Sequence, residues 1–265
     1  MSSSGGLSSR LKKIGGGTCL TRDSTDSEHV LIKVMRRIVE YAKTIKLSDD
    51  KYEVMWRPTV SLYECQCHMQ SVYGDDYFDP PDENTGRSMR PDGGIVYLIN
   101  KETLDWCPIL ITEDKIQGTN DQRFAKGLGR QATGNAIERA AKNIRGMEML
   151  FTGADRLYFP YVIFAAGCDF HQSESIAQRL EMMNYGMPNF VFDVTLSSTN
   201  IMESLTQKLK TIDCKKKLDG KCVANIFIKT HRWNKATHGT SNWSEEERYA
   251  VCKWIIDQTL SPYSS

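Results

Sequence analysis

Leu31, Val34, Ile38, Ala42 and Ile45 recur at intervals of three or four residues, the spacing that lines one face of a helix. Thr25-Asp26-Ser27-Glu28 just upstream reads as a capping box, whose side chains satisfy a helix's first free amides. Together they predict an amphipathic helix over 27–47. Ile137, Ala140, Ala141, Ile144, Met147 and Phe151 form a second stripe and predict a long helix from Asn135. Ser244-Glu245-Glu246-Glu247 opens a third helix, with acids where the positive end of the helix dipole favours them. Between these stretches lie apolar runs too short for helices: Gly94–Ile99, Cys107–Thr112, Phe159–Phe164, and runs at 190–196 and 223–229. Each reads as a strand, the first two joined as a hairpin through Asn100-Lys101-Glu102. Strands alternating with helices predict an α/β domain, a mixed central β-sheet flanked by helices.

Breaker residues divide these elements. Gly74, Pro80-Pro81 and Gly86 make 69–91 read as a long irregular connection, and Gly118, Gly127, Gly129 and Gly134 do the same around 119–134. Residues 1–18 are mostly Ser and Gly, too poor in apolar surface to order alone, and predict a flexible N-terminal arm ahead of one domain over 19–265.

Composition narrows the class. With 265 residues, 40% apolar and 25% charged, the chain has enough material for a large core and is neither collagen-like nor a coiled coil. It has no run of eighteen apolar residues and no signal-like N-terminus, so a soluble cytoplasmic protein with no membrane partner is expected. A net charge of +1 argues against binding polyanions over the whole surface but permits one basic face. Charge is indeed segregated: Asp75, Asp76, Asp79, Asp82 and Glu83 crowd one stretch, and Lys208, Lys210, Lys215, Lys216, Lys217 and Lys221 another. The eight cysteines are scattered and read as reduced thiols. Cys65-Gln66-Cys67-His68 has zinc-ligand chemistry but lacks the second pair that a structural zinc site requires.

The candidate chemistry lies at the predicted hairpin. Pro91-Asp92-Gly93-Gly94 opens its first strand, and Glu113-Asp114-Lys115 follows its second. Alternation puts Glu113 and Lys115 on one face and Asp114 on the other, and the hairpin brings Asp92 beside Glu113. Two carboxylates and an ammonium at one point suit Mg²⁺-assisted attack on a phosphodiester. By themselves three charges at loose spacing carry little weight, because an exposed edge hairpin would show the same pattern.

The surrounding blocks carry more. Met89-Arg90-Pro91-Asp92-Gly93-Gly94-Ile95-Val96 and Glu113-Asp114-Lys115-Ile116-Gln117-Gly118 resemble the two catalytic segments of the EcoRI family of type II restriction endonucleases. Gly134-Asn135-Ala136-Ile137-Glu138-Arg139 with Lys142-Asn143-Ile144 is similar to its recognition segment and following helix. Phe159-Pro160-Tyr161-Val162 and Asn184-Tyr185-Gly186-Met187-Pro188 match two further blocks, so the resemblance spans about 89–190, with a weaker echo near Trp243.

The resemblance implies a PD-(D/E)xK restriction-endonuclease-like fold, with Asp92 and Glu113 as Mg²⁺ ligands and Lys115 as the catalytic lysine. It implies that Gly134, Asn135 and Ala136 run through the DNA major groove, and that Gln117, Glu138, Arg139, Lys142 and Arg179 contact bases or phosphates. An asparagine amide can read adenine, and an arginine fork can read guanine or clamp phosphate. The implied enzyme is a homodimer cutting double-stranded DNA at a short palindrome, leaving 5′-phosphates and 5′ overhangs, with a DNA methyltransferase as its functional partner.

The chain departs from the family pattern at several positions. Asp114 stands where a small apolar residue is usual, Ile116 where a histidine is, and Ile176 where one of two arginines is; Gln131 and Thr133 also differ. These changes leave the target bases open. The alternatives are a catalytically inactive sequence-specific binder, a repair-type nuclease with little sequence preference, and a zinc module built on Cys65, Cys67 and His68.

Overall fold

The computed structural model describes residues 19–47, 50–74, 86–116, 120, 123, 126–129, 135–151, 160–167, 174–183, 190–193, 201–210, 217–218, 221–222, 225–230 and 242–264. The N-terminal arm, the acidic cluster and the Asn184–Pro188 block lie outside these residues. In chain order the helices are α1 (Cys19–Thr44), α2 (Leu62–Tyr73), α3 (Asn135–Glu148), α4 (Glu174–Met183), α5 (Ile201–Leu209) and α6 (Glu245–Leu260). The strands are β1 (Tyr52–Arg57), β2 (Val60–Ser61), β3 (Ser88–Met89), β4 (Gly94–Asn100), β5 (Trp106–Ile116), β6 (Tyr161–Ala166), β7 (Phe190–Asp193), β8 (Lys217–Leu218), β9 (Lys221–Cys222) and β10 (Asn225–Thr230).

Six strands form one mixed sheet in the order β1-β4-β5-β6-β10-β7. The β1–β4 and β4–β5 pairs are antiparallel, and β5–β6, β6–β10 and β10–β7 are parallel. The parallel pairs need crossovers, which explains why helical segments follow β5 and β6 in sequence. Side-chain alternation then builds two cores. Leu31, Val34, Ile38 and Ala42 of α1 and Val251, Cys252, Ile255 and Ile256 of α6 cover one face, on Val96, Leu98, Leu110 and Phe164. Ile137, Ala140, Ile144 and Met147 of α3 cover the other, on Ile95, Tyr97, Ile111 and Ile163. The predicted α/β class is what the chain adopts.

The elements differ from the sequence expectations in instructive ways. Helix α1 begins at Cys19, so Thr25–Glu28 lies inside it and not at its start. Ser27 is buried and spends its hydroxyl on a tertiary contact instead. The connection expected over 69–91 is helical at its start, because α2 runs to Tyr73. A capping box that does close a helix is at Ser61, whose Oγ accepts from the Glu64 N–H at 3.1 Å while Glu64 accepts from the Ser61 N–H at 2.8 Å. Strand β5 runs four residues beyond the apolar stretch that ends at Thr112, held by parallel pairing of Glu113, Asp114, Lys115 and Ile116 with Ile163–Ala166 of β6. The β4–β5 register shifts between Val96 and Tyr97, opposite Pro108, which has no N–H to give the ladder.

The turn entering β4 is tightly built. The Trp56 indole N–H donates to the Gly93 carbonyl at 2.9 Å, and the Gly93 N–H to the Thr112 carbonyl at 3.1 Å. A Cβ on Gly93 would stand 2.0 Å from Thr112 Oγ1 and 2.9 Å from Leu31 Cγ. Thr112 and Leu31 are both fully buried and have no room to yield. Gly93→Ala is therefore expected to destabilise the fold by about 1–3 kcal/mol. Urea unfolding checks this, and a wild-type midpoint would contradict the close approach.

Candidate active site

Strand β5 and the turn before β4 deliver the three predicted catalytic side chains to one point. Lys115 Nζ donates to Glu113 Oε1 at 2.5 Å, to Asp92 Oδ2 at 3.2 Å and to the Asp114 carbonyl at 2.9 Å, which uses all three ammonium protons. The Asp114 N–H donates to Asp92 Oδ2 at 3.0 Å, tying the turn to the strand. Solvent access is graded: Glu113 is 2% exposed, Lys115 13% and Asp92 34%. The site is thus closed at its base and open at Asp92.

Two neighbours that sequence reasoning assigned no role complete the Glu113 environment. Asn143 Nδ2, from α3, donates to Glu113 Oε1 at 2.9 Å. The Tyr161 hydroxyl, at the start of β6, donates to Oε2 at 3.2 Å. A signal for Asn143 existed, since it lies three residues after Ala140 and four before Met147, on a face that is otherwise apolar. Tyr161 carried none, because its ring alone accounts for its place in an apolar run.

Burial raises the Glu113 carboxyl above its ordinary range, and the charge on Asp92 adds to this. Lys115 and the Asn143 amide pull in the opposite direction. Burial would depress Lys115, but Glu113 and Asp92 outweigh it and hold the ammonium charged. Tyr161 is buried against the Glu113 charge and is pushed well above the usual phenol range, so it stays a donor. Losing the Asn143 donor removes an influence that lowers the Glu113 pKa. Any activity requiring ionised Glu113 should therefore lose its acid limb at higher pH in Asn143→Ala than in wild type. A pH–rate profile checks this, and an unmoved limb would show that Asn143 does not tune Glu113.

Asp114 points to the opposite face, as its strand parity requires. Its Oδ2 accepts from Ser27 Oγ at 2.7 Å and from Arg248 Nη2 at 3.0 Å. Burial lifts its carboxyl to about 6, with Arg248 and Ser27 opposing the rise. It stands apart from the three converging groups and does not compete with them.

The expected DNA-contacting residues fall into three groups. Gln117 and Gly134 lie outside the described residues. Asn135 and Ala136 open α3, the helix that also carries Asn143 to Glu113. Glu138, Arg139 and Lys142 are exposed on it, and Glu138 Oε1 lies 3.5 Å from Arg179 Nη2 of α4. Ile176 is fully buried beneath the sheet, so at that position the chain has a core residue. The alternative of a zinc module on Cys65, Cys67 and His68 gains nothing from α2. Cys65 and Cys67 sit two apart on α2 and face different ways. Burial pushes the Cys65 thiol up to about 11. No group of three His, Cys, Asp or Glu side chains able to hold a metal occurs among the described residues. Cys65, Cys67, Cys107 and Cys252 are free thiols.

Comparison with known proteins identifies the family. The type II restriction enzyme RsrI of Cereibacter sphaeroides is 34% identical over 125 residues, covering 42% of this chain and 44% of that protein. The type II restriction enzyme EcoRI of Escherichia coli is 33% identical over 129 residues, covering 38% of this chain and 46% of that protein. The chain thus spans under half the length of these curated relatives. The family model described as "Restriction endonuclease EcoRI" reaches much further, over residues 43–262, from the end of α1 to just beyond α6. That match includes the turn at Asp92, the whole mixed sheet and both carboxylates with their lysine, and the chain belongs to the EcoRI family of restriction endonucleases.

Proposed function

We propose that this chain is a site-specific endonuclease that hydrolyses phosphodiester bonds of double-stranded DNA with Mg²⁺. The observation that carries the reading is the convergence of Asp92, Glu113 and Lys115 through bonds of 2.5 and 3.2 Å at a site open on one side. The donor set fits a hard divalent cation. Both carboxylates already gather around one positive charge, and two carboxylates plus waters and phosphate oxygens are what Mg²⁺ commonly takes. When bound, the metal would polarise the scissile phosphate and acidify a water.

The chain's own groups supply the rest. Asp92 and Glu113 would hold the metal, and Asn143 and Tyr161 keep the Glu113 carboxylate oriented. Lys115 aims a fixed positive charge toward the phosphoryl oxygens as negative charge grows on them. The closed base around Glu113 keeps these interactions out of bulk water.

Helix α3 links reading to cutting. Asn135 lies eight residues before Asn143, about 12 Å along one rigid element. In this reading Gly134, Asn135 and Ala136 occupy the major groove, with Gln117, Glu138, Arg139, Lys142 and Arg179 on bases or phosphates. The Glu138–Arg179 contact is half-exposed and weak, so DNA can displace it. Two copies related by a two-fold axis would address the halves of a palindrome. Cutting would leave 5′-phosphates and 5′ overhangs, and a cognate DNA methyltransferase would protect the host. No described helix is long and apolar enough to cross a membrane, and action on cytoplasmic DNA follows from the same reading.

Digestion of unmethylated phage-length DNA with Mg²⁺, with the fragment ends sequenced, tests the proposal. Discrete fragments sharing one palindrome at every end are expected. A smear would point to a repair-type nuclease instead. Intact DNA at every Mg²⁺ concentration, with sequence-specific binding retained, would make the chain an inactive binder.

A further inference from the structure

We infer that Asp114 is a positioning residue, clamped by Arg248 and Ser27 from the far side of the sheet so that its peptide groups hold Asp92 and Lys115 in place. The inference rests on the endonuclease reading above and concerns residues to which that reading gives no part.

The geometry is two-sided. On the α3 side of β5, the Asp114 N–H donates to Asp92 Oδ2 at 3.0 Å and its carbonyl accepts from Lys115 Nζ at 2.9 Å. On the α1/α6 side, its carboxylate meets Arg248 Nη2 at 3.0 and 3.3 Å and Ser27 Oγ at 2.7 Å. The Ser27 hydroxyl also accepts from Arg248 at 2.6 Å and from Asn242 at 2.8 Å, which saturates it. A shift of the Asp114 peptide would therefore break bonds on both faces at once.

The clamp is itself anchored. Arg248 Nη1 donates to the Trp243 carbonyl at 2.6 Å, and the Trp243 indole N–H donates at 2.9 Å to the carbonyl of Ala165, the β6 partner of Lys115. The N-terminus of α6 is closed by the Ser244–Glu247 capping box. These contacts run from the C-terminal end of β5 and the adjacent β6 to the capped start of α6.

Stability alone does not account for the pair. Asp114 is 8% exposed and Arg248 1%, and a buried ion pair replaced by apolar side chains commonly leaves stability unchanged. What the pair provides that apolar packing lacks is direction. It fixes the peptide between Glu113 and Lys115 in rotation as well as in place. Catalytic groups misplaced by about 1 Å can lose on the order of 10²-fold in rate, so this precision has a kinetic value.

The test uses the full chain and four proteins: wild type, D114N, D114A/R248M and S27A. The readouts are kcat and KM for cleavage, the melting midpoint, and binding in EDTA to a short duplex carrying the sequence recovered by end-sequencing. D114A/R248M, which leaves no buried charge unpaired, is expected to melt near wild type and bind the duplex within about threefold. Its kcat is expected to fall roughly tenfold to a hundredfold at unchanged KM. D114N keeps an acceptor for Arg248 and Ser27, and below its midpoint should retain kcat within about threefold.

S27A covers the case in which the double variant does not fold. It keeps the ion pair but should melt a few degrees below wild type, because Arg248 and Asn242 each lose an acceptor. Well below that midpoint it should lose roughly threefold to tenfold in kcat with KM unchanged. A wild-type kcat in a folded D114A/R248M overturns the inference, as does wild-type kcat in S27A. A wild-type protein that never cuts overturns the endonuclease reading and this inference with it; cutting that is indifferent to the variants overturns the inference alone.

Discussion

Lys115→Ala is expected to lower kcat by about 10²–10³-fold while leaving sequence-specific DNA binding in EDTA intact. Two losses combine. The ammonium that touches Glu113 at 2.5 Å and Asp92 at 3.2 Å no longer stabilises charge on the phosphate. Glu113, 2% exposed, also keeps its burial and its Asp92 neighbour but loses its cationic one. The direction of the second effect follows from its causes. Burial already raises the Glu113 carboxyl, and Lys115 is the foremost influence lowering it, so deletion raises it further. Residual cutting should therefore disappear at higher pH than in wild type. Single-turnover cleavage across pH reads both effects, and EDTA binding shows that the variant is folded. A wild-type kcat would place the chemistry elsewhere in the chain.

The second large effect concerns stability. Lys229→Met is expected to cost about 3–5 kcal/mol, because it leaves a buried carboxylate without its partner. Lys229 Nζ lies 2.7 and 2.8 Å from the two Glu247 oxygens and 3.1 Å from the Asn242 carbonyl. Both side chains are 4–5% exposed. Glu247 also accepts from the Ser244 N–H at 2.7 Å, so one carboxylate both caps α6 and ties it to β10. Lys229→Met/Glu247→Gln, which removes the charge and keeps an acceptor for Ser244, should recover most of the loss. Urea unfolding of both variants checks the pair, and a single variant within about 1 kcal/mol of wild type would show that Glu247 finds other solvation. The effect bears on function, since this helix terminus carries Arg248 and adjoins Trp243.

Much of the layout was legible in the chain itself because it rests on short-range periodicity. The apolar runs at Gly94–Ile99 and Cys107–Thr112 predicted adjacent strands, and those strands pair in an antiparallel hairpin. The stripe from Ile137 to Met147 predicted α3 and the side it buries. Ser244 and the acids after it marked the start of α6. Parity along β5 separated Glu113 and Lys115 from Asp114, and hairpin pairing brought Asp92 within reach. Where the reading failed, a local pattern had two uses. Thr25–Glu28 looks like a cap but lies within α1, whereas the equivalent patterns at Ser61–Glu64 and Ser244–Glu247 do cap helices.

Side-chain alternation, helix periodicity and the order of motif blocks thus determined the fold class, the convergence of Asp92, Glu113 and Lys115, and the family, because each depends on residues close in sequence or on a pattern preserved in order. Tertiary structure alone decided which polar residues surround those three side chains. Asp114 and Arg248 are 134 positions apart, and Ser27 and Arg248 are 221 apart. Tyr161 reaches Glu113 across 48 residues and Asn143 across 30. A hydroxyl in a helix or a phenol in an apolar strand has the same local signature whatever it faces. Its hydrogen-bond partner is set by how the layers stack, and that is a property of the packed sheet and its helices.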